Sequence, residues 1–167
     1  MNRWTLSLHE AGHAVAAHAL TGAKATATLH DGGGGASWPS ADMNPTDRAI
    51  MTAAGPLAES LAARHAAPEL PIAIGSRPPT AETIASVETA TALRREIVRT
   101  VPDHVALARF CIAGVERQPE RWGQRHTWIR SVAQRLIQSH ENSIVEAARV
   151  LYLHGVVSVP LEERNDS

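Results

Sequence analysis

The sequence predicts a mainly α-helical fold with one small β-sheet, in the α+β class. Apolar residues recur at intervals of three and four along most of the chain, which is typical of amphipathic helices. Only residues 25–38 contain stretches that favour strands, and a run of four glycines separates them. The third observation is the pattern HExxH at residues 9–13, inside the first predicted helix. A length of 167 residues suits a single domain, 1–167, with its own core.

The first helix is predicted over residues 3–20. Leu6 and Val15 belong to its apolar face, and Gly22 follows as a stop signal. Gly12 lies in the helix interior, where glycine costs about 1 kcal/mol relative to alanine. We therefore expect another interaction to offset this cost, and close approach of the metal, the substrate or another backbone is one candidate.

The HExxH motif predicts a zinc site on this helix. His9 and His13 are four residues apart, so both imidazoles lie on one face and can bind one zinc ion. Glu10 is not needed as a ligand and can take a proton from a water that the metal activates. The alternative is a solvated helix face that carries two histidines, but the apolar residues around the motif indicate a buried helix.

A short hairpin is predicted after the first helix. Residues 25–30 favour a strand, residues 32–35 are glycines that we interpret as a flexible hairpin connection, and residues 36–38 favour a second strand. No lysine follows in the pattern of a phosphate-binding loop. An exposed strand beside a metal site is a place where a peptide could pair through its backbone.

The rest of the chain is predicted to be helical. Asn44 and Pro45 begin a second helix that runs to about Arg64 with a kink at Pro56. Residues 66–79 form a proline-containing loop without a domain boundary, so residues 1–79 and 80–167 are two parts of one domain. Further helices are predicted over residues 81–99, from Pro102, from Pro119, and up to a residue near Gly155.

The composition of the chain argues against several classes of function. The net charge is −1, which gives no electrostatic footprint for nucleic acid. No apolar stretch is long enough to span a membrane and no signal peptide is evident, so we expect a cytoplasmic protein. Cys111 is the single cysteine, which excludes an internal disulfide and favours a small core residue.

A catalytic zinc site needs a third protein ligand and an open position. The extended HExxHxxGxxH form is excluded, because Ala16 and Ala19 stand where it requires glycine and histidine. Glu82 follows the predicted N-cap Thr80, where the helix dipole favours a carboxylate. The candidates for the third ligand are Glu82, Glu88, Glu59 and His65.

These motifs resemble those of a known family. Residues 9–15, HEAGHAV, are similar to the HEAGHA motif in the peptidase domain of FtsH-type AAA proteases. Residues 54–59, AGPLAE, resemble that family's GGRxAEE segment, and residues 80–83 fall near its SND segment, so its aspartate ligand maps onto Glu82. Residues 132–163 resemble its closing helical hairpin. The resemblance implies a zincin-like HExxH helix packed with a helical bundle, and Zn²⁺ held by His9, His13 and Glu82.

The chain departs from the family in several places. Pro56 replaces the family's arginine, Glu82 replaces its aspartate, and the connection before Glu82 is longer. Glu88 is therefore the next candidate for the third ligand. No P-loop lysine and no transmembrane helix occur, so we expect a stand-alone peptidase domain without the AAA ATPase module.

The resemblance implies a zinc metalloendopeptidase that hydrolyses unfolded or flexible polypeptides without ATP. Glu10 would be its general base, and a separate ATPase or a homo-oligomer would be its possible partner. The alternative is a catalytically weak or inactive zinc-binding regulatory or interaction domain with the same fold.

Overall fold

The computed structural model describes residues 1–31, 33–39, 43–69 and 102–161, and these ranges form a mainly α-helical fold with a small β-sheet. The helices are α1 (Arg3–Thr21), α2 (Pro45–Ala58), α3 (Asp103–Ile112), α4 (Pro119–Ser139) and α5 (Glu141–His154), with a 3₁₀ helix (Glu59–Ala63) after α2. The strands are β1 (Ala25–His30), β2 (Gly33–Ser37) and β3 (Val156–Val159). The predicted fold class is confirmed.

Helix α1 is largely buried and packs against α2, α5 and the sheet. The Asn2 side chain accepts a hydrogen bond from the backbone N–H of Thr5, and Gly22 ends the helix with a φ of 70°. Leu8, Ala11 and Ala14 are completely buried. The helix contacts α2 on one side and α5 on another, so it has no broad solvent face.

The sheet is antiparallel, with the order β2-β1-β3. Strand β1 pairs with β2 from Thr26 opposite Ser37 to His30 opposite Gly33, and with β3 on its other side. The expectation that residues 32–35 form a flexible connection was wrong for Gly33, Gly34 and Gly35, which are strand residues. Cross-strand pairing with β1 and contact with α1 hold these glycines in place although they have little strand propensity.

Helices α1 and α2 approach closely at glycines. A Cβ atom built on Gly12 would lie 2.6 Å from Ala58 Cβ and 3.1 Å from the Ala54 carbonyl oxygen. The close approach predicted at Gly12 is therefore made by helix α2. Pro56 lies inside α2, and the α-helix changes to 3₁₀ geometry at Glu59, three residues after it.

The other helices cover the first two. Helix α4 packs on α2 through Ile129 and Ala133, and α5 packs on α1 through Ile144 and Ala148. Cys111 is buried in α3, as predicted. The helix predicted over residues 81–99 lies outside the described residues. No helix in the described part of the chain has the length and apolar character needed to cross a membrane.

Candidate metal centre

Two imidazoles of α1 and the carboxylate of the first residue of α3 converge beside α2. The Nε2 atoms of His9 and His13 lie 3.1 Å apart. Asp103 Oδ2 lies 3.0 Å from His9 Nε2 and 3.1 Å from His13 Nε2. Three groups of the types that bind zinc thus present one ligand atom each to a common point.

The spacing of these atoms agrees with a zinc site. Ligands at about 2.0–2.1 Å from a tetrahedral ion lie about 3.3 Å from one another. The separations here are 3.0–3.1 Å, so binding would require each ligand to move by only a few tenths of an ångström. A site made of imidazole nitrogens and one carboxylate oxygen matches the ligand preference of zinc, although related divalent ions accept the same set.

His13 is fixed by the backbone of α2. Its Nδ1–H donates to the Met51 carbonyl oxygen over 2.9 Å, which leaves the lone pair of Nε2 directed at the site. The ring lies against Gly55, where any Cβ atom would overlap it. The glycine before Pro56 therefore makes room for the His13 imidazole.

His9 is held by a carboxylate instead of a carbonyl. Its Nδ1–H donates to Glu59 Oε1 over 2.7 Å, so the neutral ring also turns its Nε2 lone pair to the site. Burial lowers the pKa of His9, but the hydrogen bonds to Asp103 and Glu59 outweigh burial and raise the pKa to about 9. In the metal-free protein, His9 is therefore protonated at neutral pH.

Asp103 is the first residue of α3 and directly follows Pro102, the N-cap. A carboxylate in the first turn is stabilised by the helix dipole. Burial raises the pKa of Asp103, but the hydrogen bonds with His13 and His9 outweigh burial and hold it well below the usual range. Asp103 is therefore ionised, as a metal ligand must be.

Glu10 lies beside the three converging groups but is not one of them. It is 6% exposed, and burial raises its pKa, an effect that the nearby His13 and His9 partly oppose. A Cβ atom on Gly34 of β2 would lie 2.9 Å from Glu10 Oε1. The strand thus closes over this carboxylate, and a side chain at residue 34 would require Glu10 to shift.

The three groups open into a cleft of about 490 Å³. Strand β2 and Trp38 form part of its lining, while α2 and the start of α3 contribute the rest. Strand β2 pairs with β1, and no described residue pairs with its other edge. The cleft therefore combines a possible metal position, a buried carboxylate and a strand edge.

The four residues that the sequence offers as third ligand lie in different places. Glu82 and Glu88 lie outside the described residues, so their assignment stays a prediction. Glu59 contacts the Nδ1 atom of His9, on the side of the ring away from the three converging atoms, and so orients that imidazole. His65 is 2.7 Å from Glu141 and takes no part in the site. Sequence reasoning missed Asp103, for which the only signal was an aspartate in the first turn after Pro102.

Comparison with known proteins adds no family assignment, because no protein-family model and no curated protein matches this chain. The resemblance to FtsH-type peptidase domains stays a prediction from residues 9–15 and 54–59. The function must be argued from the geometry of the site.

Proposed function

We propose that this protein is a zinc-dependent peptidase with His9, His13 and Asp103 as metal ligands and Glu10 as general base. One observation supports this most strongly. Two Nε2 atoms and one carboxylate oxygen converge within 3.1 Å, while a second, buried carboxylate beside them stays outside the group. A purely structural zinc site has four protein ligands and needs no such carboxylate.

The chemistry can be divided between the metal and the chain. A zinc ion bound here would act as a Lewis acid on a peptide carbonyl and lower the pKa of water. Glu10 would accept a proton from the attacking water and later give it to the leaving amine. Its burial suits both steps, because a raised pKa brings a carboxylate closer to neutral pH.

The cleft indicates the form of the substrate. The outer edge of β2, with which no described residue pairs, offers backbone N–H and C=O groups to an extended peptide beside the metal position. Gly34 and Gly35 have no side chains that would obstruct such a peptide. Only a chain without stable structure can pair in this way, so the substrates are short peptides, flexible tails or unfolded polypeptides.

The substitution Glu10→Gln tests the proposal. It keeps the size of the side chain and removes its ability to accept a proton. We expect peptide hydrolysis to fall by about 10²- to 10⁴-fold with one zinc ion still bound per chain. Cleavage of an unstructured peptide and metal content are measured on the same preparation. Turnover at the wild-type rate by the variant would refute the role of Glu10.

A zinc-binding regulatory domain is the competing function, and metal removal separates the two. A peptidase loses cleavage on chelation and regains it when one equivalent of zinc is added back. A binding module cuts no member of an unstructured peptide library at any zinc concentration.

A further inference from the structure

The cleft contains a basic side chain that the proposed chemistry does not use. Arg48 is on α2, one turn before Met51 and Thr52, and it lines the same cleft as the three converging groups. Its side chain is exposed. Within the described ranges, no hydrogen bond or ion pair engages its guanidinium group.

The charges of the cleft make Arg48 significant. The other acidic or basic side chains in its lining are the histidines of the metal group, Asp103 and Glu10. The two carboxylates of the lining balance the charge of one divalent ion, and Glu59, which contacts His9 from behind, adds a further negative charge. Arg48 is then the one permanent cation among the described residues that line the cleft.

We infer that Arg48 binds a carboxylate of the peptide substrate and makes the enzyme selective for substrates that carry one. A guanidinium group donates two parallel hydrogen bonds to a carboxylate, which fixes both its position and its orientation. This inference rests on the proposed function, since a peptide paired with β2 would occupy the cleft that Arg48 lines. The carboxylate is either the C-terminus of the substrate or an aspartate or glutamate side chain.

Matched peptides separate the two sources. One set of fluorogenic peptides carries glutamate or glutamine at each position in turn, and a second set ends in a free carboxylate or an amide. We expect wild-type protein to cleave one charged member about tenfold faster, in kcat/KM, than its neutral counterpart. A preference in the first set assigns a side-chain carboxylate, and a preference in the second set assigns the C-terminus.

Variants at Arg48 decide whether it causes the preference. Arg48→Gln should reduce the ratio of kcat/KM values to about one, and Arg48→Lys should keep part of it because it retains the charge without the paired hydrogen bonds. Arg121→Gln, on an exposed part of α4 that does not line the cleft, is the matched control and should leave the ratio unchanged. The ratio should also fall with added salt, because Arg48 is exposed.

A binding measurement keeps this test separate from that of the proposed function. The zinc-loaded Glu10→Gln protein is titrated with the same charged and neutral peptides, by calorimetry, with and without Arg48→Gln. Tighter binding of the charged peptide by about tenfold, lost with Arg48→Gln, supports the inference even if no peptide is ever cleaved. Equal binding of both peptides overturns it, and so does a preference that persists in Arg48→Gln, since the metal would then be the carboxylate receptor.

Discussion

Two regions of the molecule contribute to the same site in very different ways. One is the interface between α1 and α2, and the other is the short helix α3. Eleven of the 19 residues of α1 are buried, including His13 and Glu10. Helix α3 has ten residues, of which only Leu107 and Cys111 are buried. The core therefore holds His13, and His9 lies at its edge with a side chain 15% exposed. Asp103 belongs to a peripheral helix and its side chain is 32% exposed.

Because of this difference, we expect substitutions in the two regions to affect fold stability and metal binding to different extents. Changes between α1 and α2 should affect both, because the imidazole of His13 packs against Gly55 in the same interface. Changes at the start of α3 should affect metal binding much more than the free energy of unfolding. The following predictions test this separation.

Asp103→Ala should give the largest effect on the metal. Removal of a group that only orients a metal ligand typically lowers metal affinity by about 10- to 100-fold. Removal of a ligand should lower it more, so we expect zinc affinity to fall by at least about 100-fold. The free energy of unfolding of the metal-free protein should change by about 1 kcal/mol or less, because Asp103 is partly exposed. Competition with a chromophoric chelator and urea unfolding measure the two quantities.

The control for Asp103 is His104→Ala, an exposed neighbour on the same helix that is not one of the three converging groups. It should keep zinc affinity within about twofold of wild type. If Asp103→Ala also retained that affinity, the third ligand would lie elsewhere, with Glu82 and Glu88 as the remaining candidates.

Gly12→Ala should give the largest effect on the fold. A methyl group there would lie 2.6 Å from Ala58 Cβ, so α1 and α2 must move apart, at a cost of about 1–3 kcal/mol. Gly123→Ala is the matched control, because Gly123 is also in a helix but has no atom within 4 Å of the added Cβ. It should instead stabilise the protein by about 0.5–1 kcal/mol. Equal changes in the unfolding free energies of the two variants would contradict the close packing at Gly12.

Glu59→Gln should weaken zinc binding by about tenfold. The amide can still accept the hydrogen bond from His9 Nδ1–H, but it lacks the charge that makes the imidazole a better ligand. Glu146→Gln, an exposed residue of α5, is the control for loss of one negative charge. An affinity equal to that of wild type would mean that the Glu59 charge does not support His9.

The smallest expected effect is the pH dependence of the metal-free protein. The pKa of His9 is raised above its ordinary value of 6.5 to about 9. Its contribution to stability is therefore complete below pH 6.5 and is lost as the pH rises through 9. We expect a decrease of about 1 kcal/mol, reduced by the partial exposure of its partners.

Urea unfolding in the presence of a chelator at both ends of that pH range measures this decrease, and His9→Gln should abolish it. Zinc binding should show the opposite trend and strengthen with pH, since the metal requires the unprotonated imidazole. A metal-free protein that is as stable at high pH as at low pH would contradict the contacts of His9 with Asp103 and Glu59.

Much of the local structure could be predicted from the sequence. The first helix and strand were placed almost to the residue, because apolar spacing, Gly22 and the β-branched residues of β1 are local signals. The glycines of β2 were misjudged, because their strand conformation comes from pairing with β1 and contact with α1. Strand β3 was not predicted for a similar reason, since it adds to an edge of β1 more than 120 residues earlier in the chain.

The motif at residues 9–13 by itself determined that two imidazoles lie on one face of a helix, because the helical repeat places residues four apart one above the other. It also determined that a glutamate lies between them in the sequence. Only the tertiary structure decided which carboxylates meet them. Glu59 and Asp103 are 50 and 94 residues away from His9 in the chain. They reach it because the 3₁₀ helix packs on α1 and because α3 packs on α2. No local pattern encodes such a meeting, since it depends on how whole helices pack.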